Sequence, residues 1–150
     1  MIKLTNEVKL SMGKSVLCWL ATVSVDGQPN TSPKEVFTYY DDHIIIANIA
    51  SPRSAANIKQ HNQVCVSFVD ILEQRGFKIY GTATLLHHTH GEFAARAKCL
   101  QQITQGLYPF TTIIDVDVTA ISKIVAPSYF LFPEQSVADK VHAARKRYKL

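Results

Sequence analysis

The chain has 150 residues, 47% hydrophobic and 19% charged, with a formal charge of +4. This is the balance of a soluble globular protein long enough for one continuous core, so residues 1–150 are expected to form a single domain. No apolar run approaches the roughly 18 residues that a membrane span requires, and the opening MIKLTNEVKLSMGK, with Asn6 and Glu7 among its apolar residues, has no signal-peptide core.

Thr5 to Met12 reads as a short amphipathic helix, with Val8 and Met12 four apart and Thr5 placed to cap it. Ser15 to Val25 reads as a strand. Val16, Cys18 and Leu20 alternate with Leu17, Trp19 and Ala21, so both faces are apolar. Asp26-Gly27 is a hairpin turn signal. The return strand, Pro29 to Tyr40, is expected to break at Ser32-Pro33, because proline cannot donate to a ladder and is confined to edges or bulges. Asp41-Asp42 turns the chain into a strand over Ile44 to Ala47. Ser51-Pro52 starts a helix that runs to His61, serine being a favoured cap and proline fitting the first turn. Val64 to Val69 and Phe77 to Leu86 are strands on either side of a charged loop, Asp70 to Arg75. Gly81 inside the second marks a bend or a close backbone approach. A longer helix is expected from His90 to Gln105, with Thr89 and Glu92 at capping-box spacing, Phe93, Ala97 and Leu100 on one face, and Gly106 as its stop. Thr111 to Ile124 is the last strand, and Val137 to Tyr148 a basic terminal helix.

Six strands with mostly short connections, several apolar on both faces, suit a small antiparallel barrel covered outside by helices or a second subunit. The expected class is therefore mainly β, a barrel with flanking helices; an open α+β sheet is the alternative. Cys18, Cys65 and Cys99 are an odd, widely spaced set without a CxxC pair, which points to buried thiols in a reducing, cytoplasmic setting. Lys140, Arg145, Lys146, Arg147 and Lys149 crowd the C-terminus. With no helix-turn-helix, zinc-finger or aromatic RNA-binding signature beside them, a solvated helix is preferred to a nucleic-acid surface.

The sequence has no GxGxxG, Walker A loop, GxSxG or HExxH. His87, His88 and His90 read as surface histidines at a strand-to-helix junction, because at most two of them could share a strand face. Asp115 and Asp117, on an alternating strand, are expected to face solvent. No nucleophile–base pair stands out, so neither a catalytic residue nor a metal ligand is named. The stretch IIIANIASPRSAANIKQ (Ile44 to Gln60) offers a different chemistry. The free N–H groups of Arg53 and Ser54 lie at the positive end of a helix, with the Arg53 guanidinium beside them, and this combination suits a phosphate. The plainer reading is an ordinary capped helix with a solvated arginine.

Three segments, LATVSVDGQPNTSPKEVF, IIIANIASPRSAANIKQHNQVCVSFVD and RGFKIYGTATLL, together resemble the pyridoxamine 5'-phosphate oxidase-like FMN-binding split barrels. The likeness runs over Val16 to Leu86 and more weakly through Glu92 to Val125. It is carried by the order of DG turn, SPK edge, SPR helix and glycine-containing strand. The resemblance implies a six-stranded antiparallel split barrel, a homodimer, and FMN in a groove at the subunit interface. Transferred position by position, it puts the phosphate on Ser51, Arg53 and Ser54, with Lys34 as a second cation. Ser32, Pro33, Lys34, Glu35 and Val36 would follow the ring and ribityl chain, and Ala47 and Asn48 would flank the groove. Asn57 is taken as structural. Without the resemblance, Lys34-Glu35 would read as an edge strand protected by charge.

The vitamin B6 oxidase of this family carries arginine and histidine groups for pyridoxal phosphate in its C-terminal region. The matching stretch, APSYFLFPEQSVADK, contains no arginine, so a different substrate is expected. Its aromatic PSYFLF either covers a partner's flavin or closes the barrel. Other branches bind a deazaflavin or haem, and His142 is slender support for haem. The functional expectation is an FMN-dependent oxidoreductase of unassigned substrate, served by NAD(P)H or another small redox partner. A non-catalytic FMN carrier or electron-transfer protein is the alternative.

Overall fold

The computed structural model describes residues 2–150. In order, the elements are α1 (Asn6–Lys14), β1 (Cys18–Val23), β2 (Pro29–Lys34), β3 (Phe37–Tyr40), β4 (His43–Ala47), α2 (Pro52–Gln60), β5 (Gln63–Asp70), β6 (Arg75–His87), α3 (Phe93–Thr104), β7 (Thr112–Val125), α4 (Ser128–Leu131) and α5 (Val137–Tyr148). The strands form one antiparallel sheet in the order β2-β1-β5-β6-β7-β4-β3. Its two outermost strands, β2 and β3, are separated in sequence only by Glu35 and Val36. The sheet must therefore curl until its edges meet, which gives a half-barrel split along the β2–β3 seam.

Two apolar clusters lie on opposite faces of the curl. Inside it, Leu20, Ile44, Ile46, Val66, Phe68, Ile79 and Val116 pack with Val8 and Met12 of α1 and Ile58 of α2. Outside, Ile45, Ala47, Leu86 and Ile113 are covered by Ala97 and Leu100 of α3. Alternation along β4 thus sends Ile44 and Ile46 inward and Ile45 and Ala47 outward. All four are buried, which is why that strand is apolar without interruption.

Four expectations need correction. The sheet has seven strands instead of six, because the run Pro29 to Tyr40 is two strands, β2 and β3. The break falls at Glu35-Val36. Pro33 stays inside β2, paired with Trp19, and an edge strand tolerates a missing N–H. Asp117 is exposed as expected, but Asp115 is 6% exposed. It lies under α3, held by the Arg96 guanidinium and by His43 Nδ1 at 2.5 Å. Thr89 does not cap α3; the helix begins after Glu92 with no side-chain cap. The His87 amide donates instead to His90 Nδ1 at 2.9 Å, and a turn takes up the residues between. Both terminal helices are capped by their sequence signals, α1 by Thr5 and α5 by a Ser136–Asp139 capping box.

At Gly81 the β6–β7 register slips, and a Cβ there would sit on the Asp117 carbonyl and Val116 Cγ1. The carbonyl is backbone of the neighbouring strand and cannot swing away. Gly81→Ala is expected to destabilise the fold by about 1–3 kcal/mol, the usual cost of overpacking. A lowered urea midpoint at an unchanged m-value would show it.

Candidate functional site

The seam places one charge in an unusual position. Lys34 ends β2 opposite Cys18, so the pleat turns its side chain toward the inner face, where it is 5% exposed. Ser32, two residues earlier, shares that face. The Lys34 ammonium donates to Ser51 Oγ, which also lies 3.1 Å from Ser32 Oγ. Ser51 occupies the N-cap position of α2, yet its hydroxyl makes no capping bond to the helix, because it is engaged by Lys34 and Ser32. Pro52 has no N–H, so the first free amides of the helix are those of Arg53 and Ser54. Ala50, just before the cap, is held at φ +49, a left-handed conformation that costs a non-glycine residue on the order of 1 kcal/mol.

Burial lowers the Lys34 ammonium pKa from its ordinary 10.5, and burial pushes the neighbouring Cys18 thiol up to about 12. No carboxylate lies within ion-pair distance of Lys34 among the described residues. A desolvated cation beside the positive end of a helix is stabilised by an incoming anion, which could accept from the ammonium, the hydroxyls and the helix amides together.

Next to this cluster is a cleft of about 250 Å³ lined by Pro33, Lys34, Glu35, Val36, Ala47, Ile49 and Tyr108. The Ala47 amide donates to the Val36 carbonyl at 3.0 Å and fixes one wall. Because β2 pairs only with β1, alternate backbone groups along its other edge have no strand partner. A second hollow of about 280 Å³ is lined by Glu7, Lys14, Asp70, Glu73, Arg75 and Lys123, but these groups already have partners, Asp70 accepting from the Leu72 and Glu73 amides. Lys14 and Arg75 hold Glu73 at 2.9 and 2.8 Å, and Lys123 meets Glu7 at 3.0 Å. Hydrogen bonds from Lys14 and Arg75 keep the Glu73 carboxyl below its ordinary pKa.

Of the residues singled out in the sequence, Ser32, Lys34 and Ser51 therefore form one polar cluster, and Pro33, Glu35, Val36 and Ala47 line the adjoining cleft with Lys34. Arg53 is exposed on the first turn of α2 and Ser54 is buried beneath it. Asn48 is not on the cleft wall. Its amide donates to the Thr112 carbonyl at 3.0 Å, while its Oδ1 is buried without a partner. Asn57 donates to Thr22 Oγ1 at 2.9 Å inside the fold, a structural role. Ile49 and Tyr108 escaped the sequence reading; for Tyr108 the one signal was an apolar run, Leu107-Tyr108-Pro109, in a loop after a helix stop. His88 and His90 are exposed, and no trio of His, Cys, Asp or Glu among the described residues is grouped to hold a metal ion.

Residues 4–121 match the sequence profile of the pyridoxamine 5'-phosphate oxidase family. The chain belongs to this family. Its fold is shared with HupZ from Group A Streptococcus, at 26% identity and TM-score 0.67 over 82% of this chain and 98% of that one. A Lactobacillus delbrueckii protein assigned to the same oxidase family is similar at 23% identity and TM-score 0.65, covering 80% and 93% of the two chains. An FMN-binding protein from Syntrophomonas wolfei is similar at 18% identity and TM-score 0.65, covering 79% and 84%. No curated protein matches the chain. No helix among the described residues is long and apolar enough to cross a membrane.

The buried lysine of this family member makes a prediction about pH. Below 10.5 the unfolded chain keeps the Lys34 proton more readily than the folded one. Stability therefore rises with pH across the window between the lowered folded pKa and 10.5. Lys34→Met is expected to stabilise the ligand-free protein at neutral pH, with the gain shrinking as the pH approaches 10.5. Urea midpoints of both proteins across that range measure this, and a difference independent of pH would show that Lys34 is not desolvated.

Proposed function

We propose that the protein binds FMN at the seam and serves as a flavin-dependent oxidoreductase. The observation that carries this reading is Lys34, a buried cation whose hydrogen bond goes to a serine hydroxyl. Ser32, Ser51, Arg53 and the first turn of α2 surround it with further donors. These residues fit a phosphate monoester, which carries close to two negative charges and accepts several hydrogen bonds. Membership of the oxidase family and similarity to an FMN-binding protein support flavin as the ligand that brings the phosphate.

In this reading the phosphate lies against Lys34, Ser32, Ser51 and the amides of Arg53 and Ser54. The ring system enters the cleft walled by Val36, Ala47 and Ile49, with the free edge of β2 presenting backbone groups to its heteroatoms. The bound cofactor would supply a ring able to accept and return a hydride. The chain's part is to hold the phosphate, exclude water with its apolar wall and orient the ring. Reduction of bound flavin by NADPH separates an enzyme from a carrier: turnover is expected, and its absence would favour the carrier.

We further propose a homodimer. Strand register puts Trp19, Ser67, Cys65 and Tyr80 together on the outer face of β1, β5 and β6, opposite the core-facing Leu20, Val66 and Ile79. Trp19 is 46% and Tyr80 40% exposed, two large aromatic rings on a face shared with Lys78, and a second copy would cover them. Pro33 pairs with Trp19 on the same rim, so the cleft would lie beside the interface. Dilution that separates the subunits is expected to release flavin; a monomer that stays fully loaded would exclude a shared groove.

The phosphate assignment is tested by titrating the protein with FMN and with riboflavin, which lacks the phosphate. FMN is expected to bind about 10- to 100-fold more tightly. Arg53→Ala is expected to weaken FMN by about 1.5–3 kcal/mol, the scale of a charge-assisted hydrogen bond, and to leave riboflavin unchanged. Equal affinities for the two flavins would remove the phosphate from this corner.

A further inference from the structure

One wall of the cleft comes from a distant part of the chain. Tyr108 belongs to the loop between α3 and β7, yet it lines the same space as Val36, Ala47 and Ile49. Its side chain is 61% exposed, a large aromatic ring left in water beside a recess whose apolar wall is Val36, Ala47 and Ile49. The loop that carries it is anchored at both ends. Gln105 and Gly106 both take left-handed conformations at the end of α3. The Gly106 amide donates to the Gln101 carbonyl at 3.3 Å, and the Leu107 amide to the Thr104 carbonyl at 3.0 Å. On the far side, Phe110 packs against the cluster under α3. Tyr108 is thus carried on a short, tied bridge, which fixes where its backbone stands beside the cleft.

The remaining walls are the aliphatic Val36, Ala47 and Ile49 with Pro33, and two charged residues, Lys34 and Glu35, stand at one side. A recess of this kind suits a flat, apolar-faced ring bearing an anionic substituent. The aliphatic wall would cover one face of that ring, and an aromatic residue at the lip is suited to the other, through offset stacking. We infer that Tyr108 is a binding residue that stacks on the planar ring of the ligand in this cleft. The inference rests on the flavin reading given above and adds to it a residue that none of the three sequence segments carrying the resemblance contains.

The test uses the full chain and FMN, with two readouts: the dissociation constant from titration, and the fluorescence lifetime of the bound flavin. A phenol stacked on the ring shortens that lifetime by electron transfer. Tyr108→Ala is expected to weaken binding about tenfold, the scale of one lost stacking contact, and to lengthen the bound lifetime. Tyr108→Phe is expected to restore the affinity, since a phenyl ring stacks equally well, while leaving the lifetime long. An alanine variant with unchanged affinity and lifetime would overturn the inference while the flavin reading stood. Weaker binding with an unchanged lifetime would also overturn it, because loss of loop packing alone produces that result. If the wild-type chain takes up no FMN, the flavin reading itself fails.

Discussion

Glu35 and Val36 tether the opposite edges of a seven-stranded sheet. An extended residue spans at most about 3.6 Å, so two of them hold the end of β2 close to the start of β3. The sheet has no flat solution under this constraint and must curl. Curling creates an inner face that can be filled by the apolar sets of β1, β4, β5, β6 and β7, and sealed by α1 and α2. The same constraint explains the cleft. Edges brought together by a bridge are not zipped by a ladder, so β2 is left with unpaired backbone groups next to a gap. That gap is bounded by the tether residues themselves.

Curling also turns an ordinary edge lysine into a buried one. A charged residue on an edge strand normally defends it against pairing with other chains. The pleat fixes Lys34 on the same face as Ser32, and here that face is interior. Its ammonium then takes the hydroxyl of Ser51, which would otherwise cap α2. An N-cap side chain contributes about 1 kcal/mol to a helix, so the neighbouring helix gives up stability to partner the lysine. Ala50 adds a left-handed backbone in the same few residues. Three local costs meet at one corner: a desolvated cation, an uncapped helix and a strained residue. Such clustering is typical of positions retained for binding and not for stability.

Much of this fold was legible along the chain because strands and helices write their periods locally. The uninterrupted Ile44 to Ala47 run, the Asp26-Gly27 hairpin and the Ser51-Pro52 helix start each mark their element by local chemistry. Family likeness then brought Ser32, Lys34 and Ser51 into one site, which their separation in sequence would not suggest. What local reading missed depends on what covers what. Pro33 looked like a strand break, since sequence does not show which side of an edge strand is free. Asp115 looked solvated by alternation, because nothing in β7 announces that α3 lies over that face. The Ser51 hydroxyl looked like a cap, because the competing ammonium comes from another strand. Tyr108 reaches the cleft through a loop whose path is set by α3, and neither spacing nor propensity encodes that path.

The position of α3 in turn rests on Asp115, a residue that sequence alternation places in water. Arg96 bonds Asp115 of β7, and its guanidinium lies 4.8 Å over the Tyr40 ring of β3. Asp115 also meets His43 of β4. One arginine therefore ties the helix to two strands, β7 and β3, and Asp115 links on to β4, where apolar contact alone would let the helix slide along its groove. Removing one member of a buried pair typically costs about 3–5 kcal/mol, because the other charge is left unmatched. A helix fixed in this way at Arg96 ends at a fixed place, Thr104, and the loop to β7 starts from there. The backbone that carries Tyr108 therefore leaves a helix whose position is set by an ion pair two turns away. The buried carboxylate thus bears on the cleft through the path of that loop and does not line it.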